Sequence, residues 1–162
     1  MNVQRETIND KNNEKLTMTE VTGLDHLYLS VSDLVLSESF YDTVFINFLG
    51  FKKSTFQLAG EPHIQYYNRH FGVVLRPARA LNPYYPYTPG LHHICLRVNT
   101  IDEVTKVAAQ LRGAGIEATE AKLYPEYALD NVATYFADPD GIQLEITNYR
   151  QERRDRHDQW KP

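Results

Sequence analysis

Two short stretches of this chain repeat a histidine in the same setting: "GLDHLYLSV" at residues 23–31 and "GLHHICLRV" at residues 90–98. Both read Gly-Leu-x-His-apolar-x-Leu-x-Val, so His26 and His93 fall at equivalent positions without a gap. A lone strand histidine is an ordinary packed or solvated residue. Two at equivalent places suggest a shared task, and neutral imidazole is a common ligand for divalent metals. The third chemical candidate is Glu145 in "GIQLEIT", where Gln143, Glu145 and Thr147 alternate with Ile142, Leu144 and Ile146. A carboxylate in an apolar strand is costly to bury unless it is paired or bound to a cation, and two imidazoles can share that cation.

The elements that must position these groups follow from periodicity. From Leu24 to Val31 the side chains alternate, with His26, Tyr28 and Ser30 on the more polar face and Leu27, Leu29 and Val31 on the other, which predicts a half-buried strand. "SDLVLSESFYDTVFINFLGF" changes to a helical period through Phe40, Tyr41, Val44, Phe45 and Phe48, with Ser32 or Asp33 as N-cap and Gly50 as the stop. Strands near 51–58, 63–68 and 71–76 follow. The second half repeats the order. "LHHICLRV" puts His93, Cys95 and Arg97 on one face; a helix begins at the Thr100-x-x-Glu103 capping box and carries an apolar stripe of Val104, Val107, Ala108 and Leu111. Gly113 or Gly115 ends it, and strands near 116–122, 131–137 and 141–147 follow, the last two joined by a type I turn at "DPDG". Each half reads βαβββ, and two-fold related halves would converge both imidazoles on one concave surface.

Bulk properties bound what such a site can be for. At 162 residues the chain is one domain, or two small halves sharing a core, and needs neither disulfides nor a metal to fold. Its 42% hydrophobic and 23% charged residues and net charge of −4 exclude a disordered chain and argue against a nucleic-acid binder, leaving a small molecule as the expected partner. Cys95 is the single cysteine, so no internal disulfide is possible. Neither a signal peptide nor a membrane-length apolar run is present, and a cytoplasmic location is expected. Residues 1–20 read as a flexible arm, 21–147 as the folded part (module one 21–80, linker 81–90, module two 91–147) and 148–162 as a polar tail whose arginines are solvated or form an oligomer contact.

"LDHLYLSVSDLVLSESFYDTVFINFLGF", "GLHHICLRV" and "YFADPDGIQLEI" resemble the vicinal-oxygen-chelate superfamily, which includes glyoxalase I, fosfomycin-modifying transferases, bleomycin-binding resistance proteins and extradiol dioxygenases. The resemblance covers nearly all of 21–147. It implies an α+β, glyoxalase-like fold of two βαβββ repeats, paired around a shared concave, metal-binding cup. It also implies ligands on the first and last strand of each module: His26, His93, Glu145 and, in module one, the counterpart of Glu145. Aligning "FGVVLRPA" with "DGIQLEIT" puts Arg76 at that counterpart, and a guanidinium cannot ligate a metal. Two histidines and one carboxylate remain, open to one divalent ion of iron, manganese, zinc or nickel.

The implied chemistry is metal-dependent lyase or isomerase action on a small metabolite, with Glu145 catalytic and Arg76, Tyr28, Cys95, Arg97 and Tyr124 contacting substrate; Arg76, able to hold a carboxylate or phosphate through two hydrogen bonds if it faces the cup, makes an anionic, oxygen-rich substrate the expectation. Tyr28, Tyr124, Glu120 and Glu126 are open alternatives for the base. A non-haem iron dioxygenase and a non-enzymatic binding protein of the bleomycin-resistance kind are the other readings. By strand alternation His92 faces away from His93 and is structural, while His63 and His70 are solvated strand-end or loop residues. Tyr124, Tyr127 and the "NPYYPYTPG" linker at 82–90 are candidates to gate the cup, and a linker that is simply stiff and packed is the other reading. A homodimer that builds its cup across two chains and a cup within one chain are equally compatible with the spacing.

Overall fold

The computed structural model describes residues 19–160. Most of the expected arm lies outside the described residues. Module one runs β1 (His26–Val31), α1 (Leu34–Tyr41), a π-helical continuation (Asp42–Phe48), β2 (Lys52–Leu58), β3 (Glu61–Tyr67) and β4 (Gly72–Pro77). Module two runs β5 (Ile94–Val98), α2 (Ile101–Gly113), β6 (Lys122–Leu123), β7 (Val132–Ala137) and β8 (Gln143–Asn148). The sheets have orders β1-β4-β3-β2 and β5-β8-β7-β6, so the repeat is topological as well as sequential. In each, the first strand lies at an edge and pairs in parallel with the last.

Local chemistry sets the helices. The Asp33 carboxylate accepts hydrogen bonds from the Val35 and Leu36 amides, capping α1. Thr100 and Glu103 form the capping box of α2, which buries Val104, Val107, Ala108 and Leu111 as the spacing predicts. After Tyr41 the first helix widens, and Leu49 N–H reaches back five residues to Val44 O at 3.1 Å. The left-handed Gly50, φ 69°, then ends it.

α1 and α2 each pack on the apolar face of their own sheet. Leu29, Val31, Phe45, Tyr66 and Leu75 of module one join Leu96, Val104, Leu111, Leu144 and Ile146 of module two in one core. The modules are tied across by Phe40 and Phe136, by Tyr41 Oη donating to Asp138 at 3.0 Å, and by Ser32 N–H donating to Asp140 at 2.9 Å. The polar faces of the two edge strands stay exposed, with His26, Tyr28 and Ser30 on β1 and Cys95 and Arg97 on β5.

Three expectations are corrected. The strand expected over 116–122 shrinks to β6, because the Thr119 hydroxyl takes the Tyr135 amide that a ladder carbonyl would otherwise accept. The tail, read as merely polar, forms the exposed helix α3 (Gln151–Gln159). His63 lies inside β3, 2% exposed, stacked on Phe56 at 5.0 Å and edge-on to Tyr28 at 5.9 Å. The strand begins two residues earlier than expected, which turns a strand-end histidine into an interior one. His70 is exposed, as expected.

Candidate metal and substrate site

The central pair of the site comes from β8 and the stretch entering β5. Glu145 sits opposite Cys95 on β5 and Tyr135 on β7, and is buried between them. His93 leans over the same face and brings Nε2 to 3.2 Å from Glu145 Oε2. Together they open on a cavity of about 480 Å³ that Cys95, Tyr124, Glu126, Tyr127, Asn131, Tyr135, Thr147, Arg150 and His92 also line.

The donor chemistry of this pair fits a cation. His93 Nδ1 lies 2.8 Å from His92 Nδ1. If that contact uses the His93 Nδ1–H, the neutral ring turns an Nε2 lone pair toward the carboxylate lone pairs of Glu145. Two acceptors that face each other need a proton or a metal ion between them. At 3.2 Å the two groups are near enough for one cation to be held by both.

The negative charge of Glu145 reaches its neighbours. Burial of the Cys95 thiol, and after it the charge of Glu145, push its pKa up to about 12, so it is a neutral wall group rather than a nucleophile near pH 7. The Tyr135 phenol is raised above its ordinary value by the same two causes in the same order.

The chain gathers four of the expected residues, His93, Cys95, Tyr124 and Glu145, in one cavity, and Glu126 joins them. His26, Tyr28 and Arg76 lie on the other sheet and do not line it. Among the described residues no three His, Cys, Asp or Glu side chains cluster closely enough to hold a metal ion. Arg97 shares the Cys95 face, but its guanidinium stacks on Tyr149 at 4.0 Å. Glu120 is exposed and does not line the cavity.

The alignment that placed Arg76 opposite Glu145 is off by two residues. β1 and β4 pair Tyr28 with Val74 and Ser30 with Arg76, whereas β5 and β8 pair Cys95 with Glu145 and Arg97 with Thr147. With Tyr28 equivalent to Cys95, the counterpart of Glu145 is the buried Val74, and Arg76 corresponds to Thr147. An even slip preserves the face. Arg76 therefore stays on the His26 side of its sheet, where Glu61 pairs with both it and Arg79. The first module offers no fourth ligand at this position, now because it is an alkyl group.

Some other cavity residues depart from what strand periodicity predicts. Strand alternation places His92 on the far face, yet β5 begins only at Ile94, and before it the chain lets both imidazoles turn to one side. Tyr135 follows from its strand phase opposite Glu145. Arg150 has no periodic signal, since it lies in the turn between β8 and α3.

Comparison with known proteins agrees with this architecture. Residues 23–146 match the model of the Glyoxalase/Bleomycin resistance protein/Dioxygenase superfamily. The chain is 30% identical over 143 residues to virulence protein STM3117 of Salmonella typhimurium, covering 86% of this chain and 92% of that protein. A glyoxylase/bleomycin resistance protein/dioxygenase domain from Frankia sp. EAN1pec superposes with TM-score 0.65 at 22% identity, over 83% of this chain and all of the other. A mutant of the fosfomycin resistance protein FosX from Listeria monocytogenes, complexed with Mn(II) and a dihydroxypropylphosphonic acid, gives 0.61 at 19%, over 83% and 98% of the two chains. The chain belongs to the Glyoxalase/Bleomycin resistance protein/Dioxygenase superfamily.

Proposed function

We propose that the protein is a divalent-metal-dependent enzyme of lyase or isomerase type, acting on a small, oxygen-rich, anionic metabolite. The observation that carries this reading is the approach of His93 Nε2 to Glu145 Oε2 at the base of a tyrosine-lined cavity. His26 is the third ligand in this reading, and a second copy of the chain supplies it. Support for the second copy comes from β1 and β5: each is an edge strand with an exposed polar face, and in one chain His26 opens the first sheet's edge strand while His93 leads into the second sheet's. A homodimer can then set the His26 strand of one chain beside the β5 strand of the other.

When bound, the metal polarises substrate oxygens and stabilises negative charge that develops on them. The chain's own residues supply the rest. Arg150 faces the cavity as a cation for the substrate anion. Tyr124, Tyr127 and Tyr135 give it flat walls and phenolic donors, and the raised pKa of Tyr135 keeps its proton in place at neutral pH. Glu126 and Tyr124 line the cavity, and in this reading one of them moves a substrate proton. The FosX relative was crystallised with Mn(II), which makes manganese a first ion to try.

A second reading is favoured by the register. With Val74 at the fourth position, two histidines and one carboxylate leave coordination places open, the donor set of non-haem iron oxygenases. One experiment separates the two. The protein, loaded with Mn(II) or with Fe(II) under nitrogen, is incubated with panels of α-hydroxy and α-keto acids, epoxides and catechols, while oxygen uptake and product mass are followed. Turnover without oxygen uptake supports the first reading, and oxygen uptake with Fe(II) alone supports the second. Metal loading without turnover of any panel member counts against both.

A further inference from the structure

The repeat duplicates more than a histidine. In each copy the residue immediately before it holds the same ring nitrogen. Asp25 Oδ2 lies 2.5 Å from His26 Nδ1, and His92 Nδ1 lies 2.8 Å from His93 Nδ1. Asp25 and His92 occupy equivalent places in "GLDH" and "GLHH". The two partners differ in chemistry but share the capacity to accept one hydrogen bond, the aspartate through its carboxylate and the histidine through a ring lone pair.

Both partners are anchored through their main chains. Gly72 N–H donates to Asp25 O at 2.8 Å, and Gly72 stands opposite His26 in the register. A Cβ at Gly72 would stand 3.6 Å from the His26 Cβ, an ordinary packing distance, so the two residues are neighbours across the ladder. In module two the Tyr84 hydroxyl contacts the carbonyls of Leu91 and His92 at 2.7 and 2.8 Å, and Tyr87 meets the His92 ring edge-on at 5.2 Å.

We propose that Asp25 and His92 are positioning residues, which fix His26 and His93 as Nδ1–H tautomers so that both present Nε2 to one shared divalent ion. This rests on the metal reading above. Partners of ligand imidazoles in general set ring orientation and basicity, and losing one weakens metal binding about 10–100-fold. The carboxylate of Asp25 also adds negative charge behind its imidazole, which an imidazole acceptor cannot. Fold stability does not explain Asp25, whose side chain is 96% exposed.

The test uses the full chain, stripped of metal and titrated with Mn(II) by calorimetry and with Co(II) by visible absorption. Wild type, Asp25→Ala, Asp25→Asn, His92→Ala and His92→Asn are compared. The alanine variants should melt like wild type without metal, bind Mn(II) about 10–100-fold more weakly and shift the Co(II) ligand-field bands. The asparagine variants, which keep an acceptor oxygen, should recover most of the affinity. Tight binding by wild type with undiminished affinity and unchanged Co(II) bands in both alanine variants overturns the positioning roles and leaves the metal reading standing. A loss in only one alanine variant overturns the equivalence of the two partners. Wild-type protein that binds neither ion overturns the metal reading and this inference with it.

Discussion

His93 Nε2 and Glu145 Oε2 lie 3.2 Å apart on the open face of the second sheet, the carboxylate buried and the imidazole part-exposed. Without a proton or a metal ion between them this is a costly contact, because a buried carboxylate needs a partner for its charge. Glu145→Gln removes that charge while keeping the shape. The metal-free variant is expected to melt at or above the wild-type temperature. Mn(II) at a hundredfold excess over its Kd should stabilise wild type by about 2.7 kcal/mol and the variant hardly at all. Differential scanning calorimetry with and without Mn(II) checks both, and an equal metal-induced rise in the two proteins counts against Glu145 as a ligand.

A site built across two copies predicts complementation. In a heterodimer of His26→Ala and Glu145→Ala chains, one cup carries both lesions and the other carries neither. Refolding the two inactive variants together in equal amounts should restore about a quarter of the wild-type metal content, since about half of randomly formed dimers are mixed and each has one intact site. A cup formed within one chain predicts no recovery from any mixture.

Cys95 is exposed at the cavity while burial around its thiol and the charge of Glu145 push its pKa up to about 12. At pH 8 very little thiolate forms, so alkylation of the metal-free protein by iodoacetamide should be at least tenfold slower than that of a free cysteine with pKa about 8.5. Removing the negative charge in Glu145→Gln lowers the thiol pKa and should speed the reaction. Mass-spectrometric labelling kinetics decide, and a fast wild-type thiol indifferent to residue 145 contradicts this electrostatic picture.

Two core phenols predict the alkaline limit of the fold. Burial, and then Asp138, raise the pKa of Tyr41, while burial, and then its hydrogen bond to Asp42, raise that of Tyr66. Folding therefore favours the protonated phenols. The stability they add is complete below their unfolded pKa, about 10, and falls as the pH rises above it. Ultraviolet titration should show these two ionising only together with loss of far-ultraviolet ellipticity, and Tyr66→Phe should flatten the fall of stability above pH 10. Full, reversible ionisation of every tyrosine in a folded protein contradicts this.

The repeat made most of this fold legible. Asp33, the Thr100 to Glu103 box and the stripe ending at Leu111 do locally what their types dictate. Legibility failed where tertiary geometry overrides local pattern. Arg76 and Val74 share one face of β4, so alternation cannot choose between them; the parallel pairing with β1 does. His92 obeys no strand phase because the strand has not yet begun. Arg150 enters the cavity from a turn, where side-chain direction is set by backbone geometry rather than by period. The placement of His26 away from His93 depends on how the two modules pack, and a sequence of two similar halves is consistent with either arrangement.

The most direct test of the central claim is the metal content of the full chain by mass spectrometry, as purified and after reloading with Mn(II) and Fe(II), beside His26→Ala, His93→Ala and Glu145→Ala. Close to one divalent ion per wild-type chain, lost from all three variants, is the expected result. Wild-type protein that stays metal-free after reloading, or variants that keep the ion, contradicts it.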